Sequence, residues 1–283
     1  MPDRPTTPPD PWNGRSPNPT GSGSSVDAAR SVDAGGAGGR GVPAGMDLAG
    51  ADYSGHDLTD VRFVRAGLAG ALFAGAVLDG ADFTGADLTG VDFTGAVLDG
   101  AVLVRADLAG ARFDGASMLF TDARHATAKR ASFVGADLTG ATLDGAQLAD
   151  ADLTDATLAG ASLEGTDLAR STLAGANLMG ASLARAGLGE ANLTGADLRE
   201  SVLAGADLAG TRLTGATGAA VAVFHARNAT HWSTGKALEH VADGLGLDAY
   251  TEDIEPVIEH ARAAGLDTSA PRSSMPPPPI SWA

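Results

Sequence analysis

From Met46 to Gly215 apolar and polar positions recur with a period of five residues, without one insertion or deletion. Leu or Phe occupies nearly every centre of the pattern, from Leu48 to Leu213, which makes 34 centres. Two residues before nearly every centre stands Ala or, less often, Val, Ser or Thr, with His56 an exception, and the other three positions can be Asp, Thr, Gly, Arg or Ser. A helix would repeat its apolar positions near every 3.6 residues and a half-buried strand every two. A period of five predicts a solenoid, in which no repeat buries its own apolar side and stacking supplies the core. The centre and the small residue two before it point inward, and the rest face water.

The aromatic residues set the size of a coil. Tyr53, Phe73, Phe93, Phe113 and Phe133 are spaced by twenty residues, and Phe63 and Phe83 repeat that spacing on a second column. Four five-residue units per coil stack large side chains over large ones, as close packing demands. About 8–9 coils follow, and at ~4.8 Å per coil they make a rod about 40 Å long.

Ala176-Asn177-Leu178-Met179-Gly180 and Ala191-Asn192-Leu193-Thr194-Gly195 match the pattern A(D/N)LXX, which runs through about 170 of 283 residues. In this the chain resembles the pentapeptide-repeat proteins. The resemblance implies an all-β fold, a right-handed quadrilateral β-helix with the centre and the small residue inside. For function it implies that the chain acts on a protein partner, because the best-understood relatives protect or inhibit DNA gyrase by imitating duplex DNA. It also implies a homodimer contact through the C-terminal segment.

Residues 1–41 are rich in Pro, Gly, Ser and Asp, lack an apolar period, and are expected to be disordered. The β-helix is expected over 42–228, with Val42 to Gly45 folding over its first coil. Residues 229–265 read as two short amphipathic helices, about 234–245 and about 252–264, that cap the rod or meet a second copy. Leu238, Val241, Ile254, Val257 and Ile258 form their apolar stripes. Residues 266–283 read as a second tail. No apolar run is long enough to span a membrane and no apolar segment follows the first Met, so a cytoplasmic location is expected. The bias towards Arg, Ala and Gly suits a GC-rich bacterial genome.

The net charge is −16, and residues 46–215 hold 23 Asp and Glu against 11 Lys and Arg. Such a field repels nucleic acid and anionic membrane and attracts basic surfaces. It is read either as a solubility device or as an imitation of duplex DNA offered to a protein such as DNA gyrase. On the second reading Asp87 and Asp107, in one column with Asp47, Asp167 and Asp207, act with Asp92 of the next column. The chain has no Cys, so disulfides, thiolate nucleophiles and Cys-based metal sites are excluded. The glycines follow the five-residue period and form no phosphate loop. No cofactor and no metal are expected, and a non-catalytic binding protein is the favoured function class.

One coil, 116–135, departs from the pattern. Met118, Ala123 and Ala128 replace Leu or Phe, while Leu119 and Phe120 occupy outward positions beside Asp122, Arg124, His125, Lys129 and Arg130. One reading is a bulge in which the small centres let Phe120 tuck inward. A second is a patch of Leu119, Phe120, Arg124, His125, Lys129 and Arg130 that holds a protein or peptide. A third makes His125 a general acid or base oriented by Asp122. His225 and His231, with Trp232, fall where the rod should meet the helices, as a cap or as a second place for unusual chemistry.

Overall fold

The computed structural model describes residues 41–218. The tail 1–40, the stretch 219–228, the two predicted helices and the tail 266–283 lie outside the described residues.

The residue before each centre makes a parallel bridge to the residue twenty positions on, from Asp47↔Gly67 to Asp197↔Thr217. One bridge residue per unit marks a side, and four sides close a coil. The expected coil of four five-residue units is therefore present through the described rod. Between sides the chain turns. The N–H three residues after each centre donates to the centre's carbonyl, as Ala51 does to Leu48 at 3.1 Å and Ala96 to Phe93 at 2.9 Å. The second residue past the centre has φ between +54° and +71° from Gly50 to Gly215, which a type II turn requires at its third position.

The period of five follows from where the five N–H groups go, since buried or half-buried backbone must be paired. In the unit around Leu88, Ala86 N–H closes the preceding turn on Phe83, and Asp87 N–H reaches back to Ala66 in the coil before. Leu88 and Gly90 reach forward to Asp107 and Ala109. The fifth N–H, of Thr89, donates to Oδ1 of Asp87 at 3.0 Å. Asp two residues before a turn N–H is the side-chain turn favoured by Asp and Asn. The acceptor is Asn at Asn177 and Asn192. Where Ser117 and Ser162 stand at that place, Asp99 and Asp144 of the coil before supply it instead, to Leu119 and Glu164 at 3.0 and 2.9 Å.

The centres fill the core. Tyr53, Phe73, Phe93, Phe113 and Phe133 form one stack with centroids 4.8 to 5.1 Å apart, and Phe63 stacks on Phe83 at 5.0 Å. The columns face each other across the coil and meet edge to face at 5.8 to 5.9 Å, a favoured aromatic geometry. Thr121, Thr166 and Thr211 replace the small inward Ala and are buried. Their hydroxyls donate at 2.8 to 2.9 Å to Leu98, Leu143 and Leu188 of the coil before.

Two expectations are corrected. The coil 116–135 does not bulge: Met118, Ala123 and Ala128 are buried in register, and Phe120 points out, 71% exposed. The bridges use backbone alone, so a small centre leaves the path of the chain unchanged. Val42 to Gly45 do not fold over the end. Gly41 bridges Arg62, twenty-one residues on, and Val42 is buried as a centre. One extra residue, Pro43, lies between this side and the next turn, which hides Val42 from the five-residue count.

Candidate functional site

Each surface position belongs to a side or a corner. Side one carries the Asp47 column, side two the Asp52 column, side three the Asp57 column and side four the Arg62 column. The turn residues make the corners between them.

The six residues of the expected 119–130 patch occupy three different corners. Leu119 and Phe120 are at the three–four corner, Arg124 and His125 at the four–one corner, and Lys129 and Arg130 at the one–two corner. The first and last are diagonally opposite, so one small peptide does not touch both. Nor does Asp122 orient His125. Its carboxylate accepts from Arg124 Nε at 2.9 Å, Nη2 at 2.7 Å and backbone N–H at 3.2 Å. Those bonds hold it below the usual carboxylate range, with His125 adding only a minor charge effect. The His125 ring instead leans onto the coil after: a Cβ on Gly145 would lie 2.6 Å from its Nδ1. Phe120 leans in the same way on Gly140, whose added Cβ would lie 2.6 Å from Cε1. Among the described residues no three His, Asp or Glu gather as for a metal ion. His225, His231 and Trp232 lie outside the described residues.

The one–two corner reads Arg130, Asp150, Arg170, Glu190 in successive coils. Arg170 donates from Nε and Nη2 to Asp150 at 2.8 and 2.9 Å. That bond, with Arg170, Arg130 and Lys129 charge around it, lowers the Asp150 carboxyl. The four alternating charges cancel along this edge.

Side one has a related arrangement that sequence reading missed. Asp47, Asp87, Asp107 and Asp167 are each followed eighteen residues later by Arg65, Arg105, His125 and Arg185. That places each base on the adjoining four–one corner one coil further along. Where side one lacks Asp, at Gly67, Thr127, Gln147 and Gly187, the corner has Gly85, Gly145, Gly165 and Gly205. Four of the five Asp of this column thus have a base one coil further along on the adjoining corner, although Arg185 makes its ion pair with Glu164 of its own corner at 2.9 Å. The signal was legible once columns were assigned to corners.

The remaining charge is on the other half. Sides two and three, with the two–three and three–four corners, carry twelve acids and only Arg112, Arg199 and Arg212. Asp57, Asp137 and Asp197 belong to side three, and Asp79 and Asp99 to the three–four corner beside it. Arg112 is committed to Asp114 at 2.9 Å and Arg199 to Asp197.

The family model for pentapeptide repeats matches in eight copies, in overlapping segments from 57–95 to 181–217. The solved structure of HetL, a pentapeptide repeat protein involved in heterocyst differentiation regulation from a Nostoc cyanobacterium, is 35% identical. The match covers 62% of this chain and 83% of HetL, with a TM-score of 0.30. A structure of QnrB1, a plasmid-mediated fluoroquinolone resistance protein, is 25% identical over 60% of this chain and 88% of its own, with a TM-score of 0.45. A pentapeptide repeat protein of the Arabidopsis thaliana thylakoid lumen is 31% identical over 46% of this chain and 70% of its own, with a TM-score of 0.15. No curated protein matches the chain.

Proposed function

The chain belongs to the pentapeptide-repeat family, whose members form right-handed four-sided β-helices, and from that premise we propose that it is a non-catalytic binding protein. Its acidic half occupies the cationic DNA-binding surface of a partner, and DNA gyrase is the partner to test first.

One observation carries this reading. The turn cap needs a side-chain oxygen, not a charge, and Asn supplies it at Asn177 and Asn192. Yet the cap position holds Asp thirteen times and Asn twice. The charge is therefore surplus to the fold. It is also unevenly placed, since sides one and four with their corners hold eleven acids against eight Lys and Arg, whereas sides two and three with theirs are far less balanced. Twelve acids against three Arg leave about one net charge per 4–5 Å of rod, against one per about 1.7 Å in duplex DNA. A phosphate-binding surface is met at lower charge density, so the complex is expected to be weaker than DNA's own and strongly salt-dependent.

The experiment is inhibition of supercoiling by purified gyrase with the full-length chain, at rising salt. Inhibition at micromolar protein that fades with added salt is the expected result. None at low salt, or inhibition indifferent to salt, refutes the reading.

A further inference from the structure

Phe120 stands on the three–four corner, at the edge of the acidic half. Above and below it the same corner is Gly80, Gly100, Gly140, Gly160 and Gly180. Its φ is +54°, a conformation that bulky residues seldom adopt and that Gly adopts freely. The residue is 71% exposed, the most exposed of the large apolar residues described. The position thus combines a strained backbone with an apolar ring in water, where Gly would avoid both. Strain of that kind concentrates at binding sites. The ring is not loose, because it rests on the bare backbone of Gly140. In the coil before, the half-buried Val97 and Val102 lie to either side of the corner. Around this apolar spot stand Asp79 and Asp99 of the same corner and Asp137 of side three, and the neighbouring cation Arg124 is bound to Asp122.

We propose that Phe120 is an anchor that inserts into an apolar socket on a basic protein surface, with the acids of side three and of its own corner around it excluding water and matching the partner's cations. A rigid aromatic ringed by polar contacts is the usual make-up of a binding hot spot, and the acidic surround selects a basic partner over an acidic or neutral one. The inference rests on the function proposed above and adds to it, since duplex DNA presents no protruding ring. Recognition then extends beyond imitation of DNA.

The test measures binding of the full-length chain to purified gyrase, together with the melting temperature. The variants are Phe120→Gly, Phe120→Tyr and the triple change Asp57→Asn, Asp79→Asn, Asp137→Asn. Phe120→Gly is expected to weaken binding at least about thirty-fold, as hot-spot truncations do, with melting unchanged or raised because the turn strain is relieved. Phe120→Tyr keeps the ring and is expected to bind nearly as the wild type. Wild-type affinity in Phe120→Gly overturns the anchor. If the triple variant is then weakened, the charge-based reading stands without it. Loss in Phe120→Gly with no loss in the triple variant upholds the anchor and sinks the charge-based reading. No binding by the wild type removes both.

Discussion

Phe93→Ala tests the aromatic stack where it is most supported. Phe93 is fully buried, stacks on Phe73 at 5.1 Å and Phe113 at 5.0 Å, and meets Phe83 edge to face at 5.8 Å. Truncating a buried Phe costs about 3–5 kcal/mol, and each aromatic pair adds about 0.5–1.5 kcal/mol beyond burial. Three pairs place Phe93 at the top of that range, near 5 kcal/mol. Phe133 is equally buried but stacks on one ring, Phe113, at 4.8 Å, so Phe133→Ala is expected to cost about 1–3 kcal/mol less. The assay is equilibrium unfolding of the full-length chain in urea, comparing midpoints at a common slope. Each coil contacts only its neighbours, so a biphasic transition in Phe93→Ala, with the coils beyond about 140 unfolding separately, fits the same account. Equal costs at the two positions, or a cost at Phe93 below about 1 kcal/mol, would refute the packing argument.

Three further outcomes are expected. Burial pushes the Tyr53 hydroxyl from 10.0 up to about 12, and among the described residues it has no hydrogen-bond partner. Stability linked to it is complete below pH 10 and is lost as pH rises through about 12. Tyr53→Phe should abolish that alkaline loss and stabilise the rod by about 1–3 kcal/mol at neutral pH, and an unchanged alkaline profile would contradict it. The carboxyls of Asp114, Asp122 and Asp197 are held below 3.8 by their Ser and Arg partners. Their contribution is present above that pH and lost as pH falls through the lowered values, so melting temperature should be flat from pH 5 to 8 and drop only in acid, as calorimetry would show. Asp87→Asn with Asp107→Asn should reduce gyrase inhibition less than Asp57→Asn with Asp137→Asn, because the half that carries side one holds eleven acids against eight Lys and Arg and is the nearer to neutral. The reverse order would put the contact on side one.

The core was legible in the sequence because large side chains must stack at the coil repeat, and the Phe column shows that spacing directly. The coil count followed from the same rows. Val42 was hidden because Pro43 puts it one residue out of phase. Ala123 and Ala128 suggested a bulge because side-chain size was taken to govern the backbone, whereas the bridges are indifferent to it. Asp87 was read only as surface charge. Its bond to the Thr89 N–H depends on backbone geometry that no residue pattern displays, and that bond separates the structural need for an oxygen from the surplus of charge. For Arg124 and His125 the sequence placed both outward, but the carboxylate chosen by Arg124 is a matter of side-chain reach.

A coil of four equal sides makes the chain a counter that works modulo twenty. Inserting twenty residues lengthens the rod and leaves every column in step. Inserting five keeps each unit intact yet turns everything after it by a quarter revolution. Placed after Gly100, such an insertion would move Phe113 and Phe133 off the Phe93 stack and carry Phe120 to the four–one corner among the arginines. Inserting one residue within the bridged part would send centres into water. Length can therefore vary by whole coils at little cost, while the surface pattern survives only changes that complete a full revolution.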